Sequence, residues 1–186
     1  MKGFGVTTQN NNKRYKNKGN KLSKVEILNK GLNFHRLNKL DQAEKYYQLY
    51  IDLGYEDARI FSNYGVICEK RGDLKKAIIL LKKANSISPN NPTINSNIGN
   101  VLRKQKKTKE AEKYYRNAIL INPNYFEANS NLGSILIEMG ETKEAERFIS
   151  KALEINPMFA IGYTNLGHIQ KEYGKYKDSI SYHYKA

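Results

Sequence analysis

At 186 residues, the chain has the length of one ordinary domain or one short array of repeats. Its 32 basic and 18 acidic residues give a formal net charge of +14, with 39% hydrophobic residues, 14 tyrosines and no tryptophan. No run approaches the ~18–20 uncharged apolar residues of a membrane-spanning helix, and the single cysteine, Cys68, excludes an internal disulfide or a cysteine-built metal site.

Met1-Lys2-Gly3-Phe4-Gly5 opens no apolar secretory segment, so a cytoplasmic protein is expected. Residues 1–23 hold Lys2, Lys13, Arg14, Lys16, Lys18 and Lys21 with no acidic residue, beside the polar run Gln9-Asn10-Asn11-Asn12. With few large apolar groups, such a stretch cannot offset the entropy of ordering, and a disordered basic tail is expected. Its charge suits nucleic acid or an anionic membrane surface. A solvated leader is the plainer reading.

From residue 24 a period of 34 residues sets in. Ser62-Asn63-Tyr64-Gly65, Ser96-Asn97-Ile98-Gly99, Ser130-Asn131-Leu132-Gly133 and Thr164-Asn165-Leu166-Gly167 hold equivalent places, and Asn29-Lys30-Gly31 fits one period earlier. Twelve residues after each glycine comes a small one: Ala43, Ala77, Ala111, Ala145 and Ser179. Pro89, Pro123 and Pro157 close three units, with Tyr55 in that place in the first. The frame divides the chain into 24–57, 58–91, 92–125, 126–159 and 160–186, the last stopping at its position 27.

Within a unit, apolar residues recur at helical spacing, as in Ile98 and Leu102, then Ala111, Tyr115, Ala118 and Ile121. Gly72, Gly140 and Gly174 fall between the halves, where a helix ends. Asn91-Pro92 reads as an N-cap followed by a first-turn proline. Each unit is expected to be an antiparallel helix pair. Glycine at position 8 and the small residue at position 20 would let its two backbones close on each other.

This spacing resembles the tetratricopeptide repeat over residues 24–186. The array is similar to the N-terminal superhelix of the protein O-linked N-acetylglucosaminyltransferases and to bacterial arrays of the same kind. The resemblance implies an all-α fold, a right-handed α-solenoid of about five helix-turn-helix repeats, with no cofactor and no catalytic centre of its own. Unit one departs from the pattern: it lacks the closing proline and has Tyr50 where a small residue is usual, so a looser geometry is expected there. Unit five departs at Gln170 and Ser179.

In this family, positions 2, 5, 6, 9, 12 and 13 of each unit face a concave groove. Position 6 reads Asn29, Asn63, Asn97, Asn131 and Asn165. A carboxamide donates and accepts at once, so a ladder of them suits an extended peptide backbone. The other reading is that asparagine is a habit of the repeat, with its amides solvated. Position 13 reads Arg36, Lys70, Lys104, Glu138 and Glu172, so the charge reverses along the groove. That order places the acidic part of a bound segment toward units one to three. Leu28 stands at position 5 of unit one, where chaperone-binding relatives carry a lysine of their dicarboxylate clamp, so chaperone tails are not the expected ligand.

Other features read as structural. Arg103-Lys104-Gln105-Lys106-Lys107-Thr108-Lys109 has charge for nucleic acid but no interleaved aromatics for stacking; a solvated helix end is the simpler account. His35, His168 and His183 show no metal-ligand spacing. Cys68 falls at an inward position, as a small hydrophobe rather than a nucleophile. Tyr46-Tyr47 and Tyr114-Tyr115 fall at positions 23 and 24, where aromatics are expected to pack between units. Ile180, Tyr182 and Tyr184 have no following unit to pack against, and arrays need a polar closing face.

The sequence thus points to a non-enzymatic scaffold holding an extended peptide or partner segment in its groove. The alternative is the substrate-recruiting part of a split or truncated protein-modifying transferase of glycosyltransferase type. A protein or peptide partner ranks first. Self-association through the last unit ranks behind it, and nucleic acid or an anionic membrane at the tail ranks last.

Overall fold

The computed structural model describes residues 22–186. Among them ten helices follow one another: α1 (Lys24–Arg36), α2 (Leu40–Asp52), α3 (Ala58–Lys70), α4 (Leu74–Ile87) and α5 (Pro92–Lys104), then α6 (Thr108–Ile121), α7 (Phe126–Glu138), α8 (Thr142–Ile155), α9 (Ala160–Glu172) and α10 (Tyr176–Lys185). No strand occurs among the described residues. Each odd helix packs on the even helix after it, and each even helix on the next odd one, so five hairpins stack as an α-solenoid. Most of the expected basic tail lies outside the described residues. Its last two members belong to the array: Leu22 packs on the core and Ser23 caps α1.

Local chemistry sets the helix ends. The Ser23 N–H donates to Glu26 Oε2 at 2.7 Å while the Glu26 N–H donates to Ser23 Oγ at 3.3 Å, satisfying two otherwise orphan donors. Asp57, Asp73 and Asn91 accept from backbone N–H groups at the starts of α3, α4 and α5, and Pro92 opens α5. Between the helices of each pair, one residue takes a positive φ: Asn38 at 55°, Gly72 at 83°, Lys106 at 63°, Gly140 at 79° and Gly174 at 73°. A left-handed conformation costs an ordinary L-residue ~1–2 kcal/mol, which glycine escapes. Lys106→Gly is therefore expected to stabilise the protein by about 1 kcal/mol. The check is a denaturant midpoint that rises with an unchanged slope.

The two helices of a pair approach most closely at the position-8 glycines. A Cβ at Gly99 would stand 2.6 Å from Tyr115 Cε1, and one at Gly133 only 2.4 Å from Ile149 Cγ1. What fills the approach is position 24 (Tyr47, Leu81, Tyr115, Ile149 and His183) more than the small residue at position 20, which lies just behind it. In unit two the Ala77 carbonyl oxygen comes within 3.3 Å of the same point at Gly65. Between units, buried Asn129 ties the turn, its Nδ2 donating to the carbonyls of Pro123 (3.0 Å) and Tyr125 (2.9 Å). Asn95 does the same for Pro89 and Asn91.

Unit one is the irregular one. Tyr50 is fully buried where later units have Ala84, Ala118 and Ala152, and its ring meets Tyr55 edge-on at 5.2 Å. An outer cleft of about 670 Å³ opens between α2 and α3, lined by Asp41, Glu44, Gln48, Tyr64 and Arg71. Tyr64 Oη bridges it, 3.1 Å from Glu44 Oε1 and 3.0 Å from Gln48 Oε1. In unit five, Gln170 is buried but donates to Glu146 Oε1 at 2.8 Å. Tyr182 stacks on Tyr163, while Ile180 and Tyr184 are exposed.

Candidate functional site

The odd helices carry the asparagine ladder. Asn29 is exposed, and Asn63, Asn97, Asn131 and Asn165 are half-buried. Three of these amides are engaged between units. Asn131 Nδ2 donates to Asn100 Oδ1 at 3.0 Å and Asn165 Nδ2 to Ser134 Oγ at 3.4 Å, so position 6 of one unit reaches position 9 of the unit before. Asn63 meets Leu32 at that place and donates instead to Tyr47 Oη at 3.3 Å. For Asn97 the equivalent residue is Val66, which has no acceptor. Each bridged amide spends an N–H and keeps its Oδ1 lone pairs.

Under the ladder, two tyrosines hold polar groups in place. The Tyr115 hydroxyl donates to Asn100 Oδ1 at 2.9 Å, so that oxygen takes two bonds and the Asn100 amide is fixed. Burial pushes the Tyr115 phenol far above its ordinary pKa, and burial, partly opposed by the Asn63 bond, pushes Tyr47 up to about 12. Both remain neutral hydroxyls across physiological pH. Tyr47 Oη also lies 3.1 Å from His35 Nδ1. Burial first, then the charge of Lys70, holds the His35 imidazole below its usual pKa.

The expected row of charge is modified by pairing. Lys104 is bound to Glu69 at 2.5 Å, and Arg103 Nε donates to Glu138 Oε1 at 3.2 Å. Glu172 accepts from Thr142 Oγ1 at 3.1 Å. Arg36 donates to Asn33 Oδ1 at 3.0 Å, and Lys70 is exposed. Of the three position-13 cations, Lys104 is thus matched by the Glu69 carboxylate of the unit before. Its neighbours Glu69, Asn100, Arg103, Asn131 and Glu138 line an open cleft of about 430 Å³. Three of the five cations in the run from Arg103 to Lys109 (Arg103, Lys104 and Lys107) are in ion pairs.

Positions 9 and 12 belong to the expected groove face, but the pairing of Asn100, Ser134, Glu69 and Arg103 with the next unit was not read from the sequence. Their signal was available: positions 9 and 12 are polar or charged in the units where positions 6 and 13 of the next unit need a partner. Among the described residues, no group of three His, Cys, Asp or Glu side chains is placed to hold a metal ion. His168 and His183 meet edge to face at 5.5 Å. Cys68 is buried, which raises its thiol pKa, opposite to what a thiolate nucleophile needs. Among the described residues no helix is long and apolar enough to cross a membrane.

Two family models, each described as Tetratricopeptide repeat, match residues 28–92 and 102–162. The chain belongs to the tetratricopeptide repeat family. Among solved structures, a crystal structure of MamA aligns with a TM-score of 0.74 at 21% identity, covering 83% of this chain and 91% of that one. The crystal structure of YrrB, described as "a TPR protein with an unusual peptide-binding site", aligns with a TM-score of 0.72 at 22% identity, covering 88% and 84%. At these identities the likeness is one of fold. No curated protein matches the chain.

Proposed function

We propose that this tetratricopeptide repeat protein is a non-enzymatic interaction scaffold that holds an extended partner segment in its groove. The observation that carries the reading is the Asn100–Asn131 bridge in the 430 Å³ cleft. The bridge uses neither Asn131 Oδ1 nor the Asn100 NH2, so one acceptor and one donor remain for a ligand. In an extended segment the N–H and C=O of one residue point to the same side and offer the complementary pair, whatever the side chain. YrrB, whose fold this chain shares, is described as having a peptide-binding site. Asn29, Asn63, Asn97 and Asn165 extend the same register along the groove. Each such bond nets ~0.5–1.5 kcal/mol, so several must act together to exceed the cost of association.

The test is a crosslinking pull-down from native lysate with wild type and an Asn100→Ala, Asn131→Ala double variant. Losing two bonds is expected to reduce partner capture by roughly 5- to 100-fold, with helicity retained because neither amide is part of the apolar core. Undiminished capture by the folded double variant would sink the reading.

A further inference from the structure

Along the groove, position 12 of one unit is set against position 13 of the next. At the second link these are Glu69 and Lys104, 2.5 Å apart, and at the third Arg103 and Glu138, with Nε 3.2 Å from Oε1. Cation and anion cancel at both. At the fourth they are Ile137 and Glu172, and that carboxylate accepts from Thr142 instead. Only the first link sets two bases together, His35 on α1 and Lys70 on α3. Lys70 is near enough for its charge to act on the imidazole. Among the described residues no carboxylate pairs with Lys70 or with Arg36 beside it. Residues 1–21 contain neither Asp nor Glu.

We propose that this first link is an anion subsite, where His35 and Lys70 take a carboxylate side chain of the segment held in the groove. The proposal rests on the groove reading above and adds its charge and register: the ligand supplies the acid that Glu69 supplies one unit further on. The geometry of His35 suits the task. Its Nδ1 lies 3.1 Å from Tyr47 Oη, and with that hydroxyl donating, the ring hydrogen of the neutral imidazole sits on Nε2. Tyr47 in turn accepts from the ladder amide of Asn63, so subsite and ladder share one tyrosine. The charged and titratable groups around His35 are Tyr47 on α2, Arg36 on α1, and Lys70 and Glu69 on α3. Tyr47 stays neutral and Glu69 is committed to Lys104, so His35 is the group whose protonation a bound carboxylate would change. A bound carboxylate favours the imidazolium and draws in a proton, so affinity rises as pH falls toward the lowered pKa of the free imidazole, below its usual range.

A cation in the last turn of a helix also complements the helix dipole, which accounts for Arg36 and Lys70 without any ligand. The experiment separates the two. The whole chain, isotope-labelled, is titrated by NMR at low ionic strength, where exposed charge is least screened. The probes are acetylated and amidated octapeptides of glycine and serine carrying two central glutamates, two glutamines or two phosphoserines. The glutamate peptide is expected to raise the His35 titration midpoint and to bind about tenfold more tightly at pH 5.5 than at 7.5; the glutamine peptide does neither. Lys70→Gln, at an exposed position, removes the response. A stronger response to the phosphoserine peptide supports the subsite with a phosphorylated segment as its occupant.

The subsite is overturned if the glutamate and glutamine peptides leave His35 alike, or if Lys70→Gln responds as wild type does. The side-chain amide signals of Asn100 and Asn131 report on the groove reading separately. If the glutamine peptide moves them while His35 ignores glutamate, the groove stands and the subsite falls. If His35 responds while those amides do not, the subsite stands and the backbone grip falls.

Discussion

Gly133→Ala is expected to destabilise the array by about 2 kcal/mol, although alanine is the better helix former by ~1 kcal/mol. The new Cβ would stand 2.4 Å from Ile149 Cγ1 and 3.3 Å from the Ile149 backbone nitrogen. Ile149 is fully buried, and a β-branched side chain in a helix is held to one χ1 rotamer. It cannot swing aside, so α7 and α8 must separate. Because each hairpin leans only on its neighbours, that strain stays local: amides of α7 to α10 should exchange with solvent before those of α1 to α6. Ile149→Ala removes the clashing atom, and the double variant is expected to be more stable than the sum of the single losses predicts. A strictly additive cycle would show that the contact is relieved some other way.

That contact also shows how far the sequence reached. The 34-residue period placed the helix pairs, and the bare glycines marked where two backbones meet, because a close approach needs a missing side chain on one helix. The filler was not read: the small residue at position 20 accompanies the close approach, and the bulk at position 24 closes the gap. Small residues tell where space is scarce; they do not tell which neighbour fills it. The ladder asparagines were legible as a column for the same periodic reason. Their bridging was not. The bonds from Asn131 to Asn100 and from Asn165 to Ser134 span 31 residues, an offset set by how one hairpin is rotated on the next. The charge column misled in a similar way. Lys104 reads as a free groove cation until stacking brings Glu69 against it. What a repeat sequence states plainly is the unit; what it leaves implicit is the step between units, and the candidate site is made of those steps.

Tyr115→Ala is expected to have the largest effect of any single change, a loss of ~3–5 kcal/mol. The side chain is fully buried, and its ring packs on the bare face of Gly99, so truncation leaves a cavity at the tightest crossing of α5 and α6. Chemical denaturation measures the loss. Tyr115→Phe separates the two roles of the residue. It keeps the ring against Gly99 and removes only the bond to Asn100, so it is expected to cost about 1 kcal/mol. In the phenylalanine variant, Asn100 is held by Asn131 alone and turns more freely, so partner capture should drop several-fold while the fold stays intact. If both variants were equally unstable, the hydroxyl would be part of the scaffold and the groove would have no fixed floor. Position 24 is a leucine in unit two and an isoleucine in unit four, where the same crossing is closed without any hydroxyl. Tyrosine is therefore not required for packing. In units one and three, where it occurs, its hydroxyl is bonded to a groove side chain, to Asn63 through Tyr47 and to Asn100 through Tyr115. The residue that closes the helix pair there also orients the amides to which the proposed ligand would bind.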